Sequence, residues 1–276
     1  MTAVTVAQSL QRAQTLGLAR IDAQLLHLHV LGREPHDRAW LLAHDRDELP
    51  AEVQATLEAL LQRRLAGEPI AYITGFKEFF GLRLQVDARV LDPRPDTETL
   101  VEWALDLLPK GCTHRVLDLG TGSGAVALAL QHQRPSCSVT AVDASANALA
   151  VASANAQRLE LPVRFVQSDW MAAVPGLFEL IVSNPPYVAD GDPHLTALTH
   201  EPLQALTSGA DGLDDIRSIV AQAPSHLAPG GWLLLEHGWD QAHAVQDLLR
   251  SGGFEAVQSR QDLAGTARCT GGRLPS

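Results

Sequence analysis

The four residues Asn184 to Tyr187, with the sequence Asn-Pro-Pro-Tyr, combine an amide, two stiff backbone units and an aromatic ring. They follow the apolar stretch "FELIV", which is typical of a buried strand. Proline fixes its own φ, restrains the residue before it and donates no backbone hydrogen bond. The two prolines therefore predict a rigid loop that holds the Asn184 amide and the Tyr187 ring in fixed orientations. A simple strand stop, with asparagine as a turn residue, is the alternative.

This motif resembles the (Asn/Asp/Ser)-Pro-Pro-(Tyr/Phe/Trp) signature of enzymes that methylate a planar NH2 nitrogen, in a nucleobase or in glutamine. An amide nitrogen shares its lone pair with the carbonyl group and is a poor nucleophile. The Asn184 side-chain oxygen and the Pro185 carbonyl could accept its two hydrogens, while Tyr187 lies against the flat group. Catalysis would then depend on positioning and on acceptors placed for the charge that develops on nitrogen, and a general base is not obligatory.

A second candidate site is the glycine-rich stretch "VLDLGTGSGA", in which Gly120, Gly122 and Gly124 lie between a predicted strand and a predicted helix. Glycine there permits a sharp turn and lets a ligand approach the backbone closely. Asp143 ends the next predicted strand, where a carboxylate can accept hydrogen bonds from ribose hydroxyls. A structural turn and a helix cap are the alternatives. Read as G-x-G-x-x-A, with Ala125 last, the loop also fits a dinucleotide, so the glycines alone do not decide the ligand.

Three features favour S-adenosylmethionine over a nicotinamide cofactor. Asp118 precedes the loop, which gives D-x-G-x-G-x-G and resembles motif I of S-adenosylmethionine-dependent methyltransferases. A helix precedes the first strand, as in those enzymes. The Asn-Pro-Pro-Tyr motif ends the fourth predicted strand of this region, and nicotinamide enzymes have no use for it. The sequence therefore favours a methyltransferase.

The elements that must position these motifs change in pattern along the chain. Apolar residues recur at helical spacing over the first seventy or so residues. A short hairpin around Gly81 and a connector with Pro93 and Pro95 follow, and then helices alternate with strands. This alternation predicts a parallel sheet wound on both faces, with ligands beyond the carboxyl ends of its strands. We expect a helical docking domain over 1–74, a hairpin and linker over 75–96, and an α/β domain over 97–276.

Composition narrows the class of protein. The 276 residues are 46% hydrophobic and carry a formal net charge of −11, which disfavours a protein that grips long stretches of nucleic acid. No stretch is long enough to span a bilayer, and the N-terminus does not resemble a signal peptide, so we expect a cytoplasmic protein. The three cysteines, Cys112, Cys137 and Cys269, lie far apart in sequence and predict free thiols rather than a disulfide framework. The two-residue spacing of His27 and His29 does not make a metal pair, and we expect no metal.

Motifs along nearly the whole chain resemble the protein-glutamine N5-methyltransferases, most closely the branch that modifies class-1 peptide-chain release factors (the PrmC/HemK family). The matching stretches are "PIAYITGFKEF", "DPRPDTETLVE", "VLDLGTGSGA", "AVDAS", "QSDW", "SNPPYV", "DPHL", "EPLQAL" and "LLLEHGW". The resemblance implies a helical N-terminal domain that helps to dock the release factor. It also implies a seven-stranded, Rossmann-like methyltransferase domain, and methylation of the glutamine in a Gly-Gly-Gln loop, with S-adenosylhomocysteine as the other product.

The same resemblance implies roles for individual residues. Asn184, Pro185 and Tyr187 would be catalytic, and with Pro186 they would bind the glutamine amide. Trp170 would border the adenine, although a core aromatic is an equal alternative. The implied cofactor-binding set is Gly120, Thr121, Gly122, Ser123, Gly124, Asp143, Trp170 and Asn184.

Five other polar residues have no clear role in the sequence. Arg94 and Glu98 could serve the substrate, but a surface pair is favoured. His200 stands where an aromatic residue is more usual in the family, and a structural role is favoured for His237. Asp92 stands in place of the family's apolar residue, and both Asp92 and His200 could alter substrate docking.

Four rival functions remain open. The nearest is a glutamine methyltransferase of a large-subunit ribosomal protein, although "DPHL" favours the release-factor branch. An amino-methyltransferase of nucleic-acid bases would share the Asn-Pro-Pro-Tyr motif, but the acidic balance and the lack of a basic, aromatic-rich segment disfavour direct nucleic-acid binding. A non-catalytic cofactor-binding adaptor would not need a trap for an NH2 group. A dinucleotide oxidoreductase would bind nicotinamide instead of S-adenosylmethionine.

Overall fold

The computed structural model describes residues 4–276 and divides them into two compact units. The first unit consists of the described residues up to Phe76 together with 197–200, and the second consists of 77–196 and 201–276.

The first unit is helical in its described residues. Its α1 begins with a capping box, in which Thr5 and Gln8 exchange side-chain and backbone hydrogen bonds. The apolar stripes of the helices meet in one core, where Ala13, Leu26 and Leu57 are fully buried. Its helices are Val6–Thr15 (α1), Arg20–Val30 (α2), Arg38–Ala43 (α3), Ala51–Leu65 (α4) and Ile70–Thr74 (α5).

Two of the histidines considered above lie on α2. His27 is fully buried, and its Nδ1 lies 2.6 Å from the Ala23 carbonyl oxygen, while its Nε2 lies 2.9 Å from Ser9 Oγ. Burial lowers the pKa of His27, which favours the neutral imidazole. His29 has an interaction of its own. Within the described part of the chain, no group of three or more histidine, cysteine or acidic residues could hold a metal ion.

A two-stranded hairpin follows, formed by Phe76–Phe79 (β1) and Leu82–Gln85 (β2). Its two-residue turn has positive φ at both positions, 49° at Phe80 and 78° at Gly81, as the right-handed twist of a hairpin favours. The prediction of a hairpin around Gly81 is therefore confirmed.

The second unit contains a seven-stranded mixed sheet in the order β5-β4-β3-β6-β7-β9-β8. The first five strands in this order are parallel, as the alternating pattern predicts, and β9 is antiparallel to both β7 and β8. β9 departs from the parallel pattern, because it is joined to β8 directly and not through a helix. The strands are Arg115–Leu119 (β3), Ser138–Asp143 (β4), Arg164–Gln167 (β5), Phe178–Ser183 (β6), Leu227–Glu236 (β7), Glu255–Gln261 (β8) and Ala267–Arg273 (β9).

Helices cover this sheet, and the central strands are consequently apolar on both faces. The four residues 116–119 of β3 are all buried, and only Asp118 among them is polar. One large core joins the sheet to α9 and α10 through Ile216, Ile219 and Val245. The helices are Glu98–Leu107 (α6), Ala125–Gln133 (α7), Ala146–Leu159 (α8), Asp214–Gln222 (α9) and Ala242–Ser251 (α10).

The cysteines are free thiols, but two of them lie closer together than their sequence separation indicates. The sulfur atoms of Cys112 and Cys137 are 3.3 Å apart, one before β3 and the other before β4. Within residues 4–276, no helix is long and apolar enough to cross a membrane.

Candidate active site

The predicted motifs meet because three neighbouring strands end at the same edge of the sheet. Leu119 at the end of β3 pairs in register with Val142 of β4 on one side and with Ser183 of β6 on the other. Ser183 Oγ also donates to the Leu119 carbonyl oxygen at 2.8 Å. The glycine loop, Asp143 and the Asn-Pro-Pro-Tyr loop therefore emerge side by side.

A cavity of about 480 Å³ lies at this edge. This volume is within the range of pockets that hold small molecules and cofactors. Four of the five glycine-loop residues line the cavity, Gly120, Thr121, Gly122 and Ser123, whereas Gly124 does not. Asp143, Trp170, Asn184 and Pro186 are the other predicted site residues in its wall. Pro185 is buried, and neither it nor Tyr187 is among the described residues that line the cavity.

The glycine loop is held open by backbone conformations and by one buried carboxyl group. Gly124 has a φ of +86° at the start of α7, and a Cβ atom there would lie 3.0 Å from Leu128 Cδ1 and 3.2 Å from Ala152 Cβ. Asp118 accepts hydrogen bonds from the Thr121 hydroxyl at 2.6 Å and from the Ala127 N–H at 3.1 Å. Burial raises the pKa of Asp118 to about 7. The Asp118 carboxyl group thus ties the loop to the first turn of α7.

Asp143 is positioned at the cavity by two backbone hydrogen bonds. Its Oδ1 accepts from the Ser145 N–H and its Oδ2 from the Gly122 N–H, both at 2.9 Å. Each carboxylate oxygen has further acceptor capacity, so the group can also accept hydroxyl hydrogens from a ligand in the cavity. Burial raises the pKa of Asp143 above its ordinary value.

Trp170 contacts both the core and the cavity. Its backbone has a φ of +43°, which is uncommon for a bulky residue. Its ring passes beside the glycine loop, where a Cβ atom on Gly120 would lie 3.5 Å from Cζ3. Trp170 also packs against the large core and lines the cavity, so its position is compatible with either predicted role.

The amide of Asn184 has a defined orientation. Its Nδ2 donates a hydrogen bond to Thr97 Oγ1 at 3.1 Å, and both residues line the cavity. Because Nδ2 is held by Thr97, Oδ1 is the atom of this amide left to accept a hydrogen bond from a ligand.

Tyr187 is fixed at both its hydroxyl group and its backbone. The hydroxyl donates to Glu236 Oε1 at 3.4 Å, and the carbonyl oxygen accepts from Gln241 Nε2 at 3.0 Å. Burial and the nearby Glu236 carboxylate raise the pKa of the Tyr187 hydroxyl, which keeps it a donor. Glu236 is 1% exposed, and burial raises its pKa to about 7.

Thr97, Glu236 and Gln241 were not singled out from the sequence. Thr97 and Glu236 fall inside stretches quoted for the family, "DPRPDTETLVE" and "LLLEHGW", and this was the available signal. Gln241 lies just beyond the second of these stretches and carries no motif of its own.

The other polar residues considered above have protein partners. Arg94 forms ion pairs with Glu201 at 2.5 Å and with Asp92 at 3.4 Å, whereas Glu98 accepts the Phe80 N–H at 3.1 Å. These contacts differ from the expected Arg94–Glu98 surface pair.

The two remaining histidines also have partners within the protein. His200 Nε2 lies 3.1 Å from the Ala66 carbonyl oxygen. The ring nitrogens of His237 lie 2.7 Å from Thr270 Oγ1 and 2.8 Å from the Gly238 carbonyl oxygen. Burial lowers the pKa of His237, so the imidazole is neutral at neutral pH.

Comparison with known proteins gives two family matches and several close relatives. Residues 3–75 match the PrmC N-terminal domain, and residues 97–252 match the methyltransferase small domain. The release factor glutamine methyltransferase of Bordetella pertussis is 51% identical over 262 residues, which cover 94% of this chain and 96% of that protein. The one from Yersinia pestis is 49% identical over 255 residues and 91% of each chain.

Solved structures of lower identity share the fold. A methyltransferase from Pyrococcus furiosus is 20% identical with a TM-score of 0.55, and the match covers 82% of this chain and all of that one. A Thermus thermophilus 16S rRNA N2 methyltransferase, solved with AdoMet and guanosine, is also 20% identical, with a TM-score of 0.54. That match covers 72% of this chain and 49% of the other. Both likenesses show a methyltransferase fold.

Proposed function

Because this chain belongs to the release factor glutamine methyltransferase family, we propose that it methylates the side-chain amide nitrogen of the glutamine in the Gly-Gly-Gln motif of class-1 release factors. The methyl donor in this proposal is S-adenosylmethionine. The observation that carries the proposal is the meeting of the glycine loop, Asp143 and Asn184 around one cavity of about 480 Å³. The rival nucleobase and ribosomal-protein substrates are outcomes of the experiment below.

The cavity fits the proposed cofactor by size and by the chemistry of its wall. Gly120, Gly122 and Gly124 all have a positive φ and carry no side chain. The amino-acid part of the cofactor could therefore approach the backbone of this loop closely. Asp143 would accept the ribose hydroxyls, and Trp170 would lie against the adenine. The bound cofactor would supply an electrophilic methyl group on sulfur and would leave as S-adenosylhomocysteine.

The residues 184–187 would hold the glutamine amide. Asn184 Oδ1 and the Pro185 carbonyl oxygen would accept its two hydrogens, which keeps the nitrogen oriented and favours its pyramidal form. Pro186 completes the stiff loop and lines the cavity. Tyr187 would lie against the flat amide, with its ring fixed by the hydrogen bond from its hydroxyl to Glu236. The nitrogen forms one new N–C bond and sheds one proton to water, so positioning supplies most of the catalysis.

The proposed substrate gives the helical region a role. We propose that residues 1–74 help to dock the release factor, that 75–96 link the two parts, and that 97–276 carry the chemistry. Such a substrate works with ribosomes, so the proposed location is the cytoplasm.

A methyl-transfer assay tests the proposed function. Labelled S-adenosylmethionine is incubated with the protein and a purified class-1 release factor, either intact or with the Gly-Gly-Gln glutamine replaced by alanine. We expect label on the intact factor and none on the alanine variant. Parallel reactions contain the large-subunit ribosomal protein and nucleic acid. Label on one of these instead of the factor would contradict the proposed substrate, and no label with any of the three would contradict the proposed activity.

Gly212 offers a test of the position of the substrate loop. A Cβ atom at Gly212 would lie 2.3 Å from the Tyr187 carbonyl oxygen, and its φ is +74°. Gly253 is the matched control, because its φ is +83° and a Cβ atom there would meet nothing within 4 Å. We expect Gly212→Ala to destabilise the fold by about 3 kcal/mol, and Gly253→Ala by about 1 kcal/mol from backbone strain alone.

The same pair separates an effect on the loop from an effect on stability. Gly212→Ala displaces Tyr187 and is expected to lower kcat about tenfold at a temperature where it remains folded. Gly253→Ala should keep the wild-type kcat. Thermal unfolding followed by circular dichroism and kcat at 20 °C are the two measurements, and equal results for the two variants would contradict the predicted contact.

A further inference from the structure

Thr97 stands at the N-cap of α6 but does not cap the helix. Threonine is a favoured N-cap residue because its side-chain oxygen accepts a backbone N–H of the first turn. Here the Thr97 side chain makes no such bond. The residue is 3% exposed and lines the cavity, and its oxygen accepts the Nδ2 hydrogen of Asn184 instead. A hydroxyl used in this way indicates a task other than helix capping.

On its other side, Thr97 lies beside the carboxyl group of Glu236. Burial raises the pKa of Glu236, and the nearby Thr97 side chain acts in the opposite direction. Oε1 of Glu236 accepts a hydrogen bond from the Tyr187 hydroxyl. Oε2 is buried, and it has no hydrogen-bond partner among the described residues. The Thr97 hydroxyl is therefore the donor that can serve the second oxygen.

A hydroxyl group has only one hydrogen to donate. If the Thr97 hydrogen is directed to the Glu236 carboxylate, the Thr97 oxygen can only accept from Asn184. The Asn184 amide must then present its Nδ2 to Thr97 and its Oδ1 to the cavity. In the reversed orientation, two acceptors would face each other at Thr97 and a donor would face the NH2 group of the substrate.

We propose that Thr97 and Glu236 are positioning residues that fix the orientation of the Asn184 amide, so that its oxygen faces the substrate nitrogen. This inference deepens the proposed function and rests on it. Thr97 and Glu236 themselves do not touch the reacting atoms; they act through Asn184. Tyr187 is bound to the same carboxyl group, so Glu236 organises both side chains of the substrate loop.

The charge of Glu236 makes the arrangement sensitive to pH. Burial and, to a smaller extent, Asp96 on the segment before α6 raise the pKa of Glu236, whereas Thr97, the Tyr187 hydroxyl and Arg268 lower it. Cys269, its partner on β9, remains a neutral thiol because burial raises the pKa of that thiol well above its ordinary value. With a pKa of about 7, Glu236 gains its charge as the pH rises through neutrality. The Thr97 hydroxyl then donates its hydrogen to the carboxylate, and Asn184 is held in the productive orientation. We therefore expect kcat to rise over the same pH range and to level off above it.

Four variants test this inference with the intact release factor as substrate. Thr97→Val removes the hydroxyl at similar volume and is expected to lower kcat about tenfold, the equivalent of one hydrogen bond. Thr97→Ser keeps the hydroxyl and should restore most of the lost kcat. Glu236→Gln should lower kcat and remove its rise near neutral pH. Thr99→Val, two residues further along the chain, is the matched control and should behave as wild type.

The readout that a purely structural role would not change is the pH profile. Thr97→Val should flatten the rise of kcat near neutral pH. Without the Thr97 hydroxyl, the charge of Glu236 can no longer influence the orientation of the Asn184 amide. A wild-type kcat for Thr97→Val, no recovery in Thr97→Ser, or an unchanged pH profile in Thr97→Val would each overturn the inference. The proposed function fails separately, because in that case the wild-type protein itself would not label the release factor.

Discussion

Replacement of Asn184 by alanine is expected to lower kcat by about 10²- to 10³-fold, as does the loss of one preorganised polar group at other enzyme centres. The change removes Oδ1, the acceptor left free by the hydrogen bond from Nδ2 to Thr97. The substrate nitrogen would lose one of its two acceptors, and the developing charge would lose a polar partner. Residue 184 lies between the end of β6 and the two prolines, and the substitution leaves this backbone unchanged. We therefore expect the fold to be retained.

The measurement is the rate of methyl transfer to the release factor under saturating substrates. Asn184→Asp keeps an acceptor at the same place and should lose less activity than the alanine variant. Asn147→Ala is the control, since Asn147 is exposed on α8 and does not line the cavity. A kcat for Asn184→Ala equal to that of Asn147→Ala would show that the side chain at 184 does not take part in the reaction.

Asp143→Ala should weaken the binding of S-adenosylmethionine about 100-fold, because each hydrogen bond to a charged group contributes about 1.5–3 kcal/mol. The change removes the proposed ribose acceptor, and it also releases the N–H groups of Gly122 and Ser145. Two effects therefore weaken cofactor binding: the loss of direct contacts with the ribose and a less ordered glycine loop. Asp143→Asn keeps one acceptor oxygen and should give an intermediate Kd.

Isothermal titration with S-adenosylmethionine and no release factor measures this Kd directly. Asp247→Ala is a suitable control, because Asp247 is exposed on α10, where it pairs with Arg250 at 3.0 Å. If Asp143→Ala bound the cofactor as tightly as Asp247→Ala, the ribose role of Asp143 would be excluded. This experiment does not depend on the identity of the methyl acceptor.

Local sequence signals were sufficient for the elements nearest to the site. The pattern of "SVTAVD" predicts a strand and that of "ANALAVASANAQRL" predicts a helix, and β4 and α8 have the same bounds, Ser138–Asp143 and Ala146–Leu159. Ser145 explains the sharp start of α8, since its side chain accepts the Ala148 N–H. The order of glycine loop, acidic residue and Asn-Pro-Pro-Tyr loop along parallel strands then places all three at one edge.

Contacts between distant parts of the chain could not be predicted in this way. Asn184 and Thr97 are 87 residues apart, and Tyr187 and Glu236 are 49 apart. Their pairing depends on how α6 packs against the sheet and on the position of β7 within the sheet. The antiparallel insertion of β9 beside β7 is of the same kind. The contact between Cys112 and Cys137 also arises only because β3 and β4 are neighbours.

Beta-sheet pairing also has a consequence for how the reactants would move. The loop proposed for the methyl donor and the loop proposed for the acceptor follow Leu119 and Ser183, which are partners on adjacent strands and are joined by a further hydrogen bond. Adjacent strands are about 4.8 Å apart, and their ladder permits little independent displacement. Thermal fluctuations of the two loops should therefore be correlated, so that the donor–acceptor distance varies less than the position of either loop. Peripheral segments could then diverge during evolution toward new substrates while the distance for methyl transfer stays the same.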